Sequence, residues 1–587
     1  MIRRGEETMK RKVKIDVEKK NSYVADFETT CSEYDRAYGH SRVWLYDICS
    51  FIGLNHFTGY SIEDFFKSCQ ALSPCYIYFH NLRFDGNFII SWLLKHDFKC
   101  VECNTRHKLR KHEFSTMITD MGIFYTIEVC FEDEDRPVIF RDSAKKIPGK
   151  VCDIAIAYGL PVTKGECDYT LYRGVDYKAT MDEIDYVRRD TEIIARVLVM
   201  EYDEGMTFIT SASDTFQRYK DSLGHNFAYL FPQVSMEVDN FIRASYRGGV
   251  CQVNPKYKDK EVTIDNVYDV NSMYPYQMCS KLLPYGKPVY FKGKYKQDIQ
   301  YPLYIQRIAV NFKLKEGMLP TILRNDVYGW GNDSAYIYDS EDFEIELTLT
   351  SIDLELMWKH YDIYSIRYLD GYMFYGSTSL FRNYIKPLYE EKCKSKGAKK
   401  QLMKILINSL YGKFATNPKH VKKLPYLDEN GVVQYKTSDD ERDGKPIYTA
   451  VSSFITAYAR KQLFKAIDDN MDIFIYCDTD SVHLNGTGVG IPVDDRVLGA
   501  WKIESNANPV VKAKYLGPKC YYQVLRDKTP DNPRGVNIKV AGAPDEIKAQ
   551  MEYEDFHIGV KYSGKKIPML VNGGVILMDM DFQIKPR

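Results

Sequence analysis

Residues 476–481 read Tyr-Cys-Asp-Thr-Asp-Ser, directly behind the apolar stretch Asp472-Ile-Phe-Ile475. Side chains alternate along a strand, so Asp478 and Asp480 at its end point to one face. Such a pair suits a hard divalent cation, which needs oxygen ligands converging on a point. Two more segments turn this local feature into a constraint on the whole chain. Asp269 closes the strand-like Asn266-Val-Tyr-Asp269 and opens Val270-Asn-Ser-Met-Tyr-Pro-Tyr276, and Lys404-Ile-Leu-Ile-Asn-Ser-Leu-Tyr-Gly-Lys413 lies between the two acidic sites. A lone acid, a lysine-bearing helix and an acid pair, in that order, are the parts of a nucleotidyl-transfer site. There, two cations about 3.5–4 Å apart stabilise the attacking and leaving oxygens.

Around that centre the chain has to build several cores. Its 587 residues exceed the size at which one core stops growing, and about three to five domains are expected. The apolar fraction of 44% and charged fraction of 27% are those of an ordinary globular protein. No apolar run approaches the ~20 residues of a membrane span, and the N-terminus lacks the apolar core of a signal peptide. A cytoplasmic protein with no membrane partner is expected. The first 20 residues are basic and polar, and read as a frayed or strand-forming lead-in. The 14 cysteines are scattered singly apart from Cys100-Val-Glu-Cys103. That pair has no second pair or histidine at zinc spacing, so reduced thiols rather than a zinc site are expected. Net charge is +0, yet ten lysines and no Asp or Glu occur from Lys392 to Lys423. A basic run over the motif helix favours phosphate contact above a plain solvated face.

Within the first centre, Asp269, Asp478 and Asp480 are the candidate metal ligands, with the backbone carbonyl of Val270 as an extra oxygen. Tyr274 follows in the turn after the strand, where a flat ring could lie under an incoming sugar and collide with a 2′-hydroxyl. A helix advances about 100° per residue, so relative to Lys400 the residues Lys404, Asn408 and Tyr411 lie at about 40°, about 80° and about 20°, on one face. Leu402, Ile405 and Leu406 fall opposite and should pack inward. Lys392, earlier than Gly397, is in reach of the same phosphates.

A second set of acids occupies the N-terminal third. Asp26-Phe-Glu28 repeats the strand-borne geometry, Asp85 follows in Asn81-Leu-Arg-Phe-Asp85, and Tyr186-Val-Arg-Arg-Asp190 has the spacing that places Tyr186 and Asp190 on one helical face. Four carboxylates and a phenol suit two-metal hydrolysis, the phenol orienting the attacking water.

These residues, with Tyr246-Arg-Gly-Gly249, Lys519-Cys-Tyr521 and Tyr78-Phe-His-Asn-Leu-Arg-Phe-Asp85, resemble the family B DNA polymerases that carry a proofreading 3′–5′ exonuclease. More narrowly, they are similar to the protein-primed branch, the phi29-like phage polymerases, from about residue 21 to the end. The resemblance implies an α/β and α+β multidomain fold, an RNase H-like exonuclease domain joined to a right-hand polymerase with two insertions. It implies an N-terminal extension at 1–20, the exonuclease at 21–209 and a first part of the palm at 210–322. A terminal-protein insertion at 323–380, fingers at 381–418 and a processivity hairpin at 419–446 follow. The palm resumes at 447–541 and the thumb occupies 542–587.

It further implies roles. Asp269 and Asp480 would be the main polymerase ligands with Asp478 in support. Tyr274, Lys392, Lys400, Lys404, Asn408 and Tyr411 would contact the nucleotide, while Lys519, Tyr521, Tyr246, Gly248 and Gly249 would hold primer and template. Asp26, Glu28, Asp85, Tyr186 and Asp190 match the exonuclease set, with Lys164 as an accessory lysine. Thr29, His80, Asn81, Phe84, Ser143 and Tyr169 match its single-strand contacts. Two positions depart from the family pattern, Glu166 where an Asp is usual and Ala144 where a Leu is usual. The implied cofactor is Mg2+, two ions per site with Mn2+ as a substitute. The implied partners of a monomeric enzyme are template-primer DNA, deoxynucleoside triphosphates and a terminal protein as primer. A conventionally primed polymerase and a catalytically decayed DNA-binding module are the alternatives, and the complete acid sets speak against decay.

Overall fold

The computed structural model describes residues 13–102, 108–132, 136–161, 167–324, 336–341, 343–438, 442–504 and 508–586. Lys164, Glu166 and the polar loop at 326–332 lie outside them. Residues 13–20 are helical, not the frayed or strand-forming lead-in expected. Lys19 on that helix pairs with Asp203 and Ile15 packs on the core behind it, which gives the segment a tertiary reason to be ordered.

The N-terminal unit is a mixed sheet of eight strands, in the order His56–Gly59, Val43–Ser50, Ser22–Thr29, Cys75–Phe79, Val138–Asp142, Phe124–Cys130, Glu113–Ile118, Lys99–Cys100. The Ser22–Thr29, Cys75–Phe79 and Val138–Asp142 strands run parallel at its centre. Central parallel strands are covered on both faces. Accordingly Ile77 and Phe79 pack towards the helix Leu82–Lys95, while Val24 and Tyr78 pack towards the helix Met181–Asp203. A capping box starts the longer helix: Thr180 accepts from the Glu183 N–H, and the Thr180 N–H donates back to Glu183. Both helices therefore present their acids at the same end of the same strands.

Asp269 and Asp478 sit on a second, antiparallel sheet, ordered Trp501–Ile503, Asn266–Val270, Ser481–Leu484, Phe474–Asp478, Cys251–Val253. Its back is covered by the helix Thr449–Asp468, whose Leu463, Phe464 and Ile467 are fully buried against Phe474, Cys477 and Val482. The sequence expectation placed an insertion at 323–380. Instead Leu283–Lys292 and Leu303–Leu314 pair with Ile345–Thr350 and Tyr361–Ser377 in one four-stranded sheet. The expected boundary at 322 cuts through this sheet. The physical reason is that strands pair across long connections, and nothing local in 283–314 tells a palm strand from an inserted one.

Two hairpins reach back to the N-terminal unit. Lys423–Leu427 pairs with Val433–Thr437 across the turn at Asp428, whose carboxylate accepts from the Asn430 and Val432 N–H groups. Lys561–Val571 pairs with Gly574–Gln583 at the C-terminus. Both tips meet the N-terminal unit at Asn572. Its Oδ1 accepts from Lys95 Nζ at 2.7 Å and its Nδ2 donates to the Asn430 carbonyl at 2.9 Å. Its carbonyl accepts from the Ser41 N–H at 3.3 Å. Tyr435 adds a bond to Asn87 at 2.6 Å.

Candidate active sites

Asp478-Thr479-Asp480-Ser481 is a tight turn between neighbouring strands, Asp478 pairing with Ser481. Thr479 has φ 58, and its N–H donates to the Val250 carbonyl at 2.7 Å. A β-branched residue with positive φ is strained, and surrounding bonds have to hold it there. Ser272 and Lys519, both with φ 52, share that conformation at the other rims of the site. Asp269 lies opposite Ser481 in register, and the Val270 N–H donates to the Asp480 carbonyl at 2.9 Å. The lone acid and the acid pair are thereby locked on adjacent strands.

Asp269 and Asp480 line two adjoining cavities at once. One, about 690 Å³, also holds Asp478, Lys519 and Tyr521; the other, about 1050 Å³, holds Val270, Tyr274, Lys392, Lys400, Lys404, Asn408 and Tyr411. Burial first, and then the charges of Asp269 and Asp478, push the Asp480 carboxyl up to about 7. Burial also raises Asp269, against the pull of Lys502, whose Nζ is 3.2 Å from Oδ1. Lys519 Nζ donates to both oxygens of Asp478, at 2.8 and 2.9 Å. An Asp480 carboxyl raised by burial and by two neighbouring acids fits a place for a dication. Among the described residues no three His, Cys, Asp or Glu side chains converge on one point. Paired carboxylates beside a lysine-lined cavity suit a small hard cation held by one or two carboxylates and completed by substrate phosphates.

The lysine helix runs from Gly397 to Asn408 and breaks at Ser409 before a short turn of helix, Leu410–Phe414. The wheel reading survives the break. Leu402, Met403 and Leu406 are buried against Met206, with Ile405 half-buried beside them, while Lys404 and Asn408 are exposed to the cavity. Tyr411 lies on the second piece, its ring stacked 4.3 Å from that of Tyr274. Lys392 Nζ donates to Ser272 Oγ at 3.0 Å, which pins a cation to the turn after Asp269. In the Tyr246-Arg-Gly-Gly249 turn, a Cβ on Gly249 would lie 2.9 Å from Thr479 Cγ2 and 3.2 Å from the Tyr274 hydroxyl, so a larger residue would have to displace them.

The N-terminal acid set gathers in a cavity of about 500 Å³ lined by Asp26, Glu28, Thr29, His80, Asn81, Phe84, Asp85, Tyr169, Tyr186 and Asp190. Glu28, Asp85 and Asp190 are all buried. Burial, and next the charge of Asp26, drive Asp85 well above the usual carboxylate range. The Tyr169 and Tyr186 hydroxyls are 3.0 Å apart. Ser143, expected to touch a single strand, is fully buried and absent from the cavity wall. Its hydroxyl bonds His80 Nδ1 at 3.0 Å and donates to the Phe79 carbonyl at 3.1 Å, so it orients His80 instead.

Several residues were not singled out by the sequence. Arg460 donates to Asp353 through both ends of its guanidinium and to the Arg247 and Gly248 carbonyls at 2.7 and 2.8 Å, fixing the glycine turn from below. Lys502 enters the site from the edge strand Trp501–Ile503, directly opposite Asp269. The alternation in Trp501-Lys-Ile-Glu504 was the available signal for Lys502, whereas nothing local marks a buried Arg460.

The family model for DNA polymerase type B, organellar and viral, matches residues 71–181 and 170–489. The DNA polymerase of Bacillus phage M2 is 40% identical over 584 residues, covering 96% of this chain and 99% of that one. That of Bacillus phage phi29 is 38% identical over the same span. The solved structure of Phi29 DNA polymerase complexed with primer-template DNA matches with a TM-score of 0.88 at 37% identity, covering 96% of this chain and 100% of that one. With these relatives matched over nearly its whole length, the chain belongs to the phi29-type family B DNA polymerases, DNA-directed DNA polymerases with an exonuclease domain and a polymerase domain.

Proposed function

We propose that this polymerase starts DNA synthesis on a hydroxyl of a terminal protein and continues by processive strand displacement. In the same reading it proofreads by 3′–5′ hydrolysis and works in the cytoplasm of an infected host. The observation that carries the reading is the pair of separate carboxylate centres. One opens onto lysines and a primer-side cavity, the other onto aromatic rings.

Asp269, Asp480 and the Val270 carbonyl would hold Mg2+ for polymerisation with Asp478 in support, and Asp26, Glu28, Asp85 and Asp190 for hydrolysis; Mn2+ is the substitute. When bound, such ions lower the charge on the phosphate and activate the attacking oxygen. Lys392, Lys400 and Lys404 take the triphosphate and Asn408 extends their face. Tyr274 lies under the sugar, and Tyr411 supports both that ring and the new base pair. Lys519 and Tyr521 hold the primer end while Tyr246, Gly248 and Gly249 face the template. On the other centre Tyr186 orients the water, and Thr29, His80, Asn81, Phe84 and Tyr169 hold the single strand. Lys164 keeps its accessory role as an expectation only.

Protein priming is supported by the two expected insertions, 323–380 and 419–446, which flank the lysine helix in sequence; the first lies largely in the sheet of 283–377 and the second holds the hairpin of 423–437. The test is incubation with one labelled deoxynucleotide and a candidate terminal protein. A covalent protein–nucleotide adduct is expected. Extension of a primed template with no adduct under the same conditions would assign conventional priming.

A further inference from the structure

Two loops face each other at the rim of the hydrolytic cavity. Thr29 and Cys31 lead into the first and Tyr169 begins the second, and all three line the cavity. Three tyrosines extend this rim outwards. Tyr34 and Tyr38 project from the short helix Glu33–Tyr38, held by a capping box between Ser32 and Asp35 and ended by left-handed Gly39. The Tyr34 ring lies 4.4 Å from that of Tyr38 and 5.1 Å from that of Tyr172. Their exposures are 53%, 70% and 55%. Packed together yet left open to solvent, they form an apolar patch of the kind that marks a binding surface.

The patch is braced before any ligand arrives. Arg42 Nη2 donates to the Arg173 carbonyl at 2.6 Å and also to that of Gly174, tying one loop to the other. Arg173 in turn bonds Glu183 at 2.7 Å and the Asp168 carbonyl at 2.8 Å, which links Tyr172 to the cavity residue Tyr169. Arg36 bonds Asp579 of the C-terminal hairpin at 3.1 Å and reaches the Cys31 sulfur at 3.7 Å. Tyr34 and Tyr172 thus stand three residues along the chain from Cys31 and Tyr169 of the cavity wall, with Tyr38 packed on Tyr34.

We propose that Tyr34, Tyr38 and Tyr172 are a stacking platform for single-stranded DNA, receiving the bases that trail on the 5′ side of the end held among the carboxylates. This rests on the hydrolytic reading of that cavity. Continuity favours a nucleic-acid strand, because the rings prolong a wall that already carries Phe84 and Tyr169. Size favours it too. Three half-exposed rings fall short of the about 800 Å² per side of a stable protein interface, whereas stacking a base or two needs only a ring face and is indifferent to sequence. The platform would capture a frayed strand without selecting what it reads.

The test is the triple variant Tyr34→Ala, Tyr38→Ala, Tyr172→Ala, all at exposed positions. Digestion is followed on a strand of about twelve nucleotides and on a trinucleotide too short to reach the rim, alongside anisotropy of the longer strand without divalent cations. The KM for the longer strand should rise by about fivefold or more and its binding weaken in step. Its kcat, the trinucleotide kinetics and extension of a fully paired primer should not change. Tryptophan at the three positions should restore the KM. An unchanged KM for the longer strand, or an equal rise for the trinucleotide, overturns the platform. Tyrosine-dependent binding by a parental chain that digests nothing would keep the platform and overturn the hydrolytic reading. Normal strand binding with lost association to terminal protein would hand the patch to a protein partner, against the proposal.

Discussion

The role proposed for Tyr274 is to discriminate between sugars that differ by a single oxygen. Its ring stacks on that of Tyr411, and in the proposed role this placement bars a larger sugar. Tyr274→Val should relax that exclusion and raise ribonucleotide incorporation relative to deoxyribonucleotide by about tenfold or more, an effect of about 1.4 kcal/mol. The ratio is measured on one primed template with competing nucleotides, and an unchanged ratio would reduce Tyr274 to packing. His483, three residues beyond Asp480, behaves differently. Complete burial lowers its pKa to about 3, and it faces the Tyr515 hydroxyl at 2.7 Å and Gln523 at 3.2 Å, with Tyr476 and Tyr521 closing the pocket. The unfolded chain takes up that proton near its ordinary value of about 6.5 while the folded chain does not, so stability falls as pH drops below about 6.5, by up to about 1.4 kcal/mol per unit from this group. His483→Gln should flatten the loss of melting temperature between about pH 6.5 and about pH 4.5. A slope identical to the parent's would show that other groups set the acid limit. At this scale the sequence was most legible where chemistry fixes residue type at fixed spacing, as in Asp478 and Asp480 or Asp26 and Glu28. It was least legible for Ser143, Lys502 and Arg460, whose roles depend on partners distant in the chain.

Elements were read well where a short-range signal exists. The turn Asp428-Glu-Asn-Gly431 announces the hairpin that forms around it, and the helix carrying Lys400 and Lys404 follows from its apolar face. The four-stranded sheet of 283–377 was split wrongly because its register is set by pairing between segments up to a long connection apart. Deleting 419–443 removes the hairpin whose base carries Lys419, Lys422 and Lys423 and whose body packs Val433 and Tyr435 onto the N-terminal unit. Single-nucleotide addition should persist, while products on a primed circle, with DNA in large excess over enzyme, should shorten and stop at a downstream duplex. Full-length rolling-circle products from the deletion would remove the hairpin from any part in processivity.

Across the whole molecule, the two carboxylate centres belong to different sheets with different cores. Asn572 gathers the tips of both hairpins against the N-terminal unit, so the sheets are joined at the periphery while each active site keeps its own support. The order of motifs along the chain foretold two separate carboxylate clusters. It could not foretell that the C-terminal hairpin would return to the first domain, because Val575 and Phe88 meet across almost the full length of the sequence.

That separation makes one measurement decisive: extension and 3′–5′ digestion assayed side by side, on the same labelled primer with magnesium, for Asp480→Ala and for Asp26→Ala with Asp85→Ala. Asp480→Ala should lose extension by about three orders of magnitude or more, as expected when several kcal/mol of charge stabilisation are removed, and retain digestion. The double variant should lose digestion to a similar degree and retain extension. Loss of both activities in either variant, or retained extension in Asp480→Ala, would contradict the assignment of two independent centres.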